Sequence, residues 1–262
     1  MLLKDKVVIV SGIGPGLGIE LAVQAAAQGA KLAIAARTPS KLDDAEAEVA
    51  RLGLGTEVLK VATDISDPQQ CKQLVEKTLE KFGRIDCLIN SAYNPGSFEP
   101  IEKAKLDGWR QAMEVNLFGT MTLTLEVVPH MKKQGGGSIV MVNTMVTRKP
   151  LATQGGYGAS KAALHSATSH LAVELGKYNI RVNSTFMGWM WGPPVEGYFD
   201  MMAKHTGADK QAMIAEVEKN IPLGKIPDDA DCAKAVIFLA SDYACAITGA
   251  GLDVNGGEFI PH

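Results

Sequence analysis

The stretch Lys6–Gly18, KVVIVSGIGPGLG, decides how the rest of the chain is read. Lys6 to Val10 is a short apolar, β-branched run, the composition of a buried strand. Ser11-Gly12-Ile13-Gly14-Pro15-Gly16-Leu17-Gly18 follows at once, and from Leu17 to Gln28 apolar residues recur at three- and four-residue intervals. Glycines between a strand and a helix let the backbone turn sharply and leave main-chain N–H groups open to a pyrophosphate at the helix N-terminus. No Lys-Ser/Thr follows, so the turn is not that of a nucleotide-hydrolysing P-loop.

Outward from this stretch the same rhythm repeats. Further strands are expected at Lys31–Ala35, Glu57–Val61, Asp86–Asn90, Ser138–Asn143, Ile180–Ser184 and Leu252–Val254. Helical periodicity fills Ser40–Leu52, Pro68–Phe82, Leu106–Lys133 and Thr153–Tyr178. Asp67 before Pro68 reads as a helix start, and Gly29, Gly53 and Gly83 fall where helices should stop. Such alternation predicts an α/β fold: one Rossmann-like, doubly wound parallel sheet of about seven strands with helices on both faces. With no linker, repeat or low-complexity tract, residues 1–262 read as a single domain. Residues 187–224 break the rhythm with Pro193-Pro194, three methionines from Met201 onward and two tryptophans. Because they follow the carboxyl end of strand six, where ligands bind in open α/β sheets, they are expected to form a substrate lid.

Composition narrows the partners. The 262 residues are 46% hydrophobic and 21% charged with a net charge of -3, and Lys132-Lys133 is the longest basic cluster, which argues against nucleic acid or an anionic membrane surface. Cys71, Cys87, Cys232 and Cys245 are widely spaced, and none of the five histidines, His262 included, has ligand spacing, so no metal is expected. They read as free thiols of a cytoplasmic protein. The segment Ala235–Leu252 comes closest to a membrane span but is interrupted by Ser241-Asp242.

The glycine spacing G-x-x-x-G-x-G over Gly12, Gly16 and Gly18 resembles the short-chain dehydrogenase/reductase family, with Ser11 in the place of the usual Thr. The resemblance extends along nearly the whole chain, through Thr63-Asp64-Ile65, Asn90-Ser91-Ala92, Asn116 in EVNLFG, Tyr157-Gly158-Ala159-Ser160-Lys161, Arg181-Val182-Asn183 and the closing ITGAGLDVNGG. It implies that Ser11, Gly12, Gly14, Gly16, Leu17, Gly18, Asp64, Ile65, Asn90, Ala92 and Gly188 bind a dinucleotide. An acidic residue at the end of strand two would favour NAD; Ala36-Arg37 stands there instead, and an arginine accommodates a 2′-phosphate. NADP(H) is therefore expected over NAD(H), although Pro15 stands where the family often adds a second basic residue.

Tyr157 and Lys161 are one helical turn apart and share a face. A phenol with an ordinary pKa near 10 is a poor proton donor or acceptor at neutrality, and a neighbouring ammonium lowers it. The resemblance makes Tyr157 the acid-base catalyst, has Lys161 bind the nicotinamide ribose, and gives Asn116 a water in the proton relay. Thr144 stands where the family usually carries Ser; its hydroxyl has the same hydrogen-bonding capacity and is expected to hold the substrate oxygen. Tyr93, which replaces a family glycine, is expected to line an apolar substrate pocket with Met145, Trp189, Met190 and Trp191. Met187-Gly188 replaces the family's Pro-Gly, and a frequent Thr falls at Gly192.

The activity so implied is hydride transfer between NADP(H) and a ketone or secondary alcohol, with a hydrophobic or cyclic small molecule as substrate. An NAD-linked alcohol dehydrogenase and a non-catalytic NADP-binding redox sensor are the alternatives. An enoyl reductase of the same superfamily would place its Lys where Leu164 stands. The resemblance also implies a homotetramer, with a homodimer as the alternative.

Overall fold

The computed structural model describes residues 1–261, and His262 lies outside the described residues. Seven strands, β1 (Val7–Ser11), β2 (Lys31–Ala36), β3 (Val58–Ala62), β4 (Cys87–Asn90), β5 (Gly137–Thr144), β6 (Ile180–Met187) and β7 (Gly251–Val254), form one sheet. Its order is β3-β2-β1-β4-β5-β6-β7, and every neighbouring pair is parallel. The order reverses between β1 and β4, which opens a crevice at the carboxyl ends of these strands.

Helices α1 (Leu17–Ala27) and α2 (Pro39–Ala50) pack on one face, and α3 (Pro68–Phe82), α5 (Thr120–Gln134) and α6 (Gly155–Leu175) on the other. Strand pleating sorts the side chains. Val8 and Val10 join the core with Leu21 and Leu42, whereas Ile9 joins Leu74, Leu123 and Leu164 on the opposite side. Both faces being covered, β1 has no polar alternation and reads as an uninterrupted apolar run. Local chemistry fixes the ends: the Asp67 carboxylate accepts from the Gln69 N–H at 2.9 Å to cap α3, and Gly83, at φ 76°, closes it.

Three differences from the sequence reading matter for the site. The expected helix from Leu106 is α4 (Leu106–Met113) continued into α5 by a π-helical segment, Glu114–Gly119, that carries Asn116. Residues 193–218 contain two helices, α7 (Pro193–Thr206) and α8 (Lys210–Glu218). A helix absent from the sequence reading, α9 (Asp229–Ala240), covers the β1 face beside α1 and buries Cys232, Val236, Ile237 and Leu239. Its two-sided burial hides the amphipathic stripe that would have announced it. Among the described residues no helix is long and apolar enough to cross a membrane.

Candidate active site

The glycine turn is dictated by close approach. A Cβ on Gly12, whose φ is +94°, would stand 2.1 Å from the Ala92 nitrogen, and one on Gly18 would stand 2.4 Å from the Gly12 carbonyl oxygen. Gly14 differs, since a Cβ there meets nothing within 4 Å. Gly12, Gly14, Leu17 and Gly18 line a cavity of about 660 Å³, together with Gly188 and Met190 from the far side. A smaller pocket of about 180 Å³ shares Gly12 and Gly14 and is lined by Ser11, Arg37, Asp64, Ile65 and Ala92. The Ser11 hydroxyl oxygen is buried with no hydrogen-bond partner. Bare glycine backbone at a helix N-terminus, an orphaned hydroxyl and two pockets that share Gly12 and Gly14 fit a dinucleotide.

Thr144 ends β5, and α6 returns Tyr157 and Lys161 to the same cavity. Lys161 is held firmly: its Nζ donates to the Val142 carbonyl at 2.7 Å, and its own carbonyl accepts from Asn143 Nδ2 at 3.1 Å. Asn143 Oδ1 in turn accepts from the Thr144 N–H at 3.0 Å. Burial lowers the Lys161 ammonium to about 7. It pushes the Tyr157 phenol up, as does the nearby Tyr93, whose ring lies edge-on at 6.2 Å; a hydrogen bond with Thr144 works the other way. The expected lowering of Tyr157 by Lys161 is thus not found in the protein alone, because loss of solvent penalises both charged forms.

Asn116 is completely buried. Its Nδ2 donates to the Asn94 carbonyl at 2.9 Å and to Ser160 Oγ at 2.8 Å, while its Oδ1 accepts from the Asn94 N–H at 2.7 Å. Ser160 Oγ donates to the Tyr157 carbonyl at 2.8 Å. The π-helical turn therefore ties the loop after β4 to the helix that carries Tyr157.

A family model described as enoyl-(acyl carrier protein) reductase matches residues 12–258. The chain is 31% identical to levodione reductase of Leifsonia aquatica over 97% of its own length and 94% of the relative's. The chain belongs to the short-chain dehydrogenase/reductase family. Among solved structures of this oxidoreductase family, L-sorbose reductase from Gluconobacter frateurii, complexed with NADPH and L-sorbose, superposes with a TM-score of 0.93 at 29% identity, covering 100% of both chains. NAD+-bound xylitol dehydrogenase gives 0.90 at 27% identity, over 98% of this chain and 100% of that one.

Within this family frame, several expected site residues stand elsewhere. Trp189 and Trp191 do not line the cavity. They flank Phe199, with ring centroids at 5.8 and 6.4 Å, and pack with Ile214, Ile221 and Ile226 into a separate small core. Aromatic rings in a helical insertion bury more area against each other than against a half-open cavity. Met145 is buried behind the cavity wall, and Asn90 turns inward to Thr124 at 3.1 Å and the Met141 sulfur. Gly16 faces the outer groove with Glu20 and Trp191, and Asn116 sits behind the lining. Tyr93 and Met190 line the cavity, joined by Phe98, Asn143, Gln154 and Asp229, which sequence reasoning missed. Asn143 was within reach as the polar residue before Thr144; Phe98 and Gln154 lie in loops without a pattern.

Proposed function

We propose that the protein interconverts a ketone and a secondary alcohol with NADP(H) as hydride carrier. The observation that carries this reading is the meeting of Thr144, Tyr157 and Lys161 at one cavity that also receives the glycine turn. The nicotinamide, when bound, supplies or takes the hydride at the substrate carbon. In reduction, the Tyr157 phenol gives its proton to the carbonyl oxygen, which the Thr144 hydroxyl holds by a hydrogen bond. Lys161, fixed on Val142 and Asn143, would anchor the nicotinamide ribose and, in the occupied site, favour the Tyr157 phenolate when it carries its charge. Asn116 positions Tyr157 through Ser160 and the loop after β4.

Arg37, exposed at the rim of the smaller pocket beside Ala36, supports NADP(H) over NAD(H). The NADPH-bound and NAD+-bound relatives leave the choice to that position. Tyr93, Phe98, Met187, Met190 and Val195 make the cavity largely apolar and support a hydrophobic or cyclic substrate. Residues 187–224 then act as the lid. Exposed Phe118 on the π-helical segment, Leu125 on α5 and Val173 on α6, the last 84% exposed, support a homo-oligomer assembled through these helices. Four cysteines without a disulfide suit a cytoplasmic setting.

The test is a spectrophotometric screen of NADPH consumption and NADP reduction against mixed ketones and alcohols, with NADH and NAD in parallel. Turnover of apolar ketones with NADPH is expected. Cofactor binding without turnover over the whole panel would favour a redox-sensing role, and a large preference for NADH would overturn the cofactor choice.

A further inference from the structure

Asp229, the first residue of α9, is 93% buried by its 7% relative exposure, and its Oδ2 has no hydrogen-bond partner among the described residues. An unpaired buried carboxylate is costly unless the site has a use for it. Its position is fixed by backbone, since the Trp191 N–H donates to the Pro227 carbonyl at 2.7 Å and the Asp229 N–H to the Trp191 carbonyl at 3.0 Å. This pairing carries the carboxyl into a gap that two glycines leave open. A Cβ on Gly192 would fall 1.7 Å from Oδ2, and one on Gly16 would fall 2.6 Å from it. Gly192 has extended backbone that any residue adopts, so it is the space, taken by the carboxyl, that excludes a side chain there.

Gly16 immediately precedes the first turn of α1, and Asp229 lines the main cavity with Gly14, Pro15 and Leu17. A carboxyl there stands beside the seat of a dinucleotide's diphosphate. The charged neighbours are all of the wrong sign for an anion: Glu20 on α1, Glu48 on α2 across the same groove, and Asp228 next in the chain, the last already paired with Lys225 at 3.3 Å. Cys232 on α9 is a buried thiol pushed up to about 12 and brings no charge.

We infer that Asp229 is a cofactor-binding residue that must be protonated to accept the dinucleotide, so that binding takes up a proton. The inference rests on the dinucleotide reading above. As the acid, Asp229 donates its O–H to a diphosphate oxygen; as the carboxylate, it repels that oxygen at short range. Burial, Glu20 and Asp228 already push its pKa to about 6, so that near neutral pH the free protein holds mostly the carboxylate.

The experiment is calorimetric titration of wild type and Asp229→Asn with NADPH and NADH between pH 5.5 and 7.5, in two buffers of different ionisation enthalpy. Asp229→Asn keeps the shape, carries a donor at every pH, and cancels the titrations of Lys161 and of the cofactor itself. Wild-type Kd should approach that of Asp229→Asn at the acid end and be about tenfold or more weaker at the alkaline end, with proton uptake larger than in the variant. Gly192→Ala, whose methyl displaces the carboxyl, should flatten the same pH dependence if Asp229→Asn does not fold. A Kd ratio that does not change with pH would overturn the inference, as would weaker binding by Asp229→Asn at the alkaline end. Failure of wild type to bind either dinucleotide at any pH would instead overturn the hydride-transfer reading, and the inference with it.

Discussion

The floor of the cavity and the helical insertion above it are held by different means. On the floor, Asn143 and Lys161 are fixed by hydrogen bonds to the backbone of β5 and α6, Thr144 Oγ1 accepts from the Val146 N–H, and behind them Asn116 is tied to the loop after β4. The insertion instead packs on itself, with Phe199, Ile214, Ile221 and Ile226 buried against Trp189 and Trp191. It is joined to the rest near Trp191 by the short pairing with Pro227 to Asp229. Reacting groups must hold their geometry to within a fraction of an ångström, whereas a cover over a substrate needs only its own coherence. Substitutions in the floor should therefore act on turnover and those in the insertion on substrate affinity.

The largest effect is expected for Tyr157→Phe, which removes the transferred proton. Turnover should fall about 10³-fold with cofactor affinity and thermal stability nearly intact, read by steady-state kinetics beside a melting curve. Next comes Phe199→Ala, which empties the ring between two tryptophans at a local cost of about 3–4 kcal/mol. It should raise KM, accelerate proteolysis within 193–218 and leave the sheet's melting transition in place; a fall in kcat alone would erase the contrast between the two regions. Thr144→Ala should cost about a hundredfold in kcat with unchanged dinucleotide Kd.

Asp229 joins the two regions and gives a pH-dependent stability of defined sign. Its pKa is about 6 in the folded protein against an ordinary value of 3.8, so the folded state binds the extra proton. Stability from this group is therefore full below pH 3.8 and falls as pH rises toward and through 6. Asp229→Asn should stabilise the protein by about 3 kcal/mol at neutral pH and by progressively less in acid, measured by denaturant melts. The smallest effect is Arg37→Ala at the rim, which should weaken NADPH about tenfold and leave NADH unchanged by direct binding measurement.

Much of this contrast was legible in the sequence, but unevenly. β1 and the glycine turn declare themselves because a strand buried on both faces is continuously apolar and a close-packed turn admits only glycine at Gly12 and Gly18. Tyr157 and Lys161 are visible because helical spacing fixes their common face. The direction of Trp189 and Trp191 was not, since an irregular segment has no period from which to read which way a ring turns. Asp229 was hidden for a related reason: its neighbours Gly16 and Gly192 are distant in sequence, and only the pairing of Trp191 with the start of α9 brings the three together.

The most direct test of the central claim, that Thr144, Tyr157 and Lys161 serve one hydride-transfer site, is single-turnover oxidation of bound NADPH by the best ketone of the panel. Wild type and Tyr157→Phe should be compared after each is shown to bind NADPH. Rapid oxidation in wild type, slowed about 10³-fold in the variant at equal cofactor occupancy, is the predicted result. Equal rates in the two proteins would contradict it.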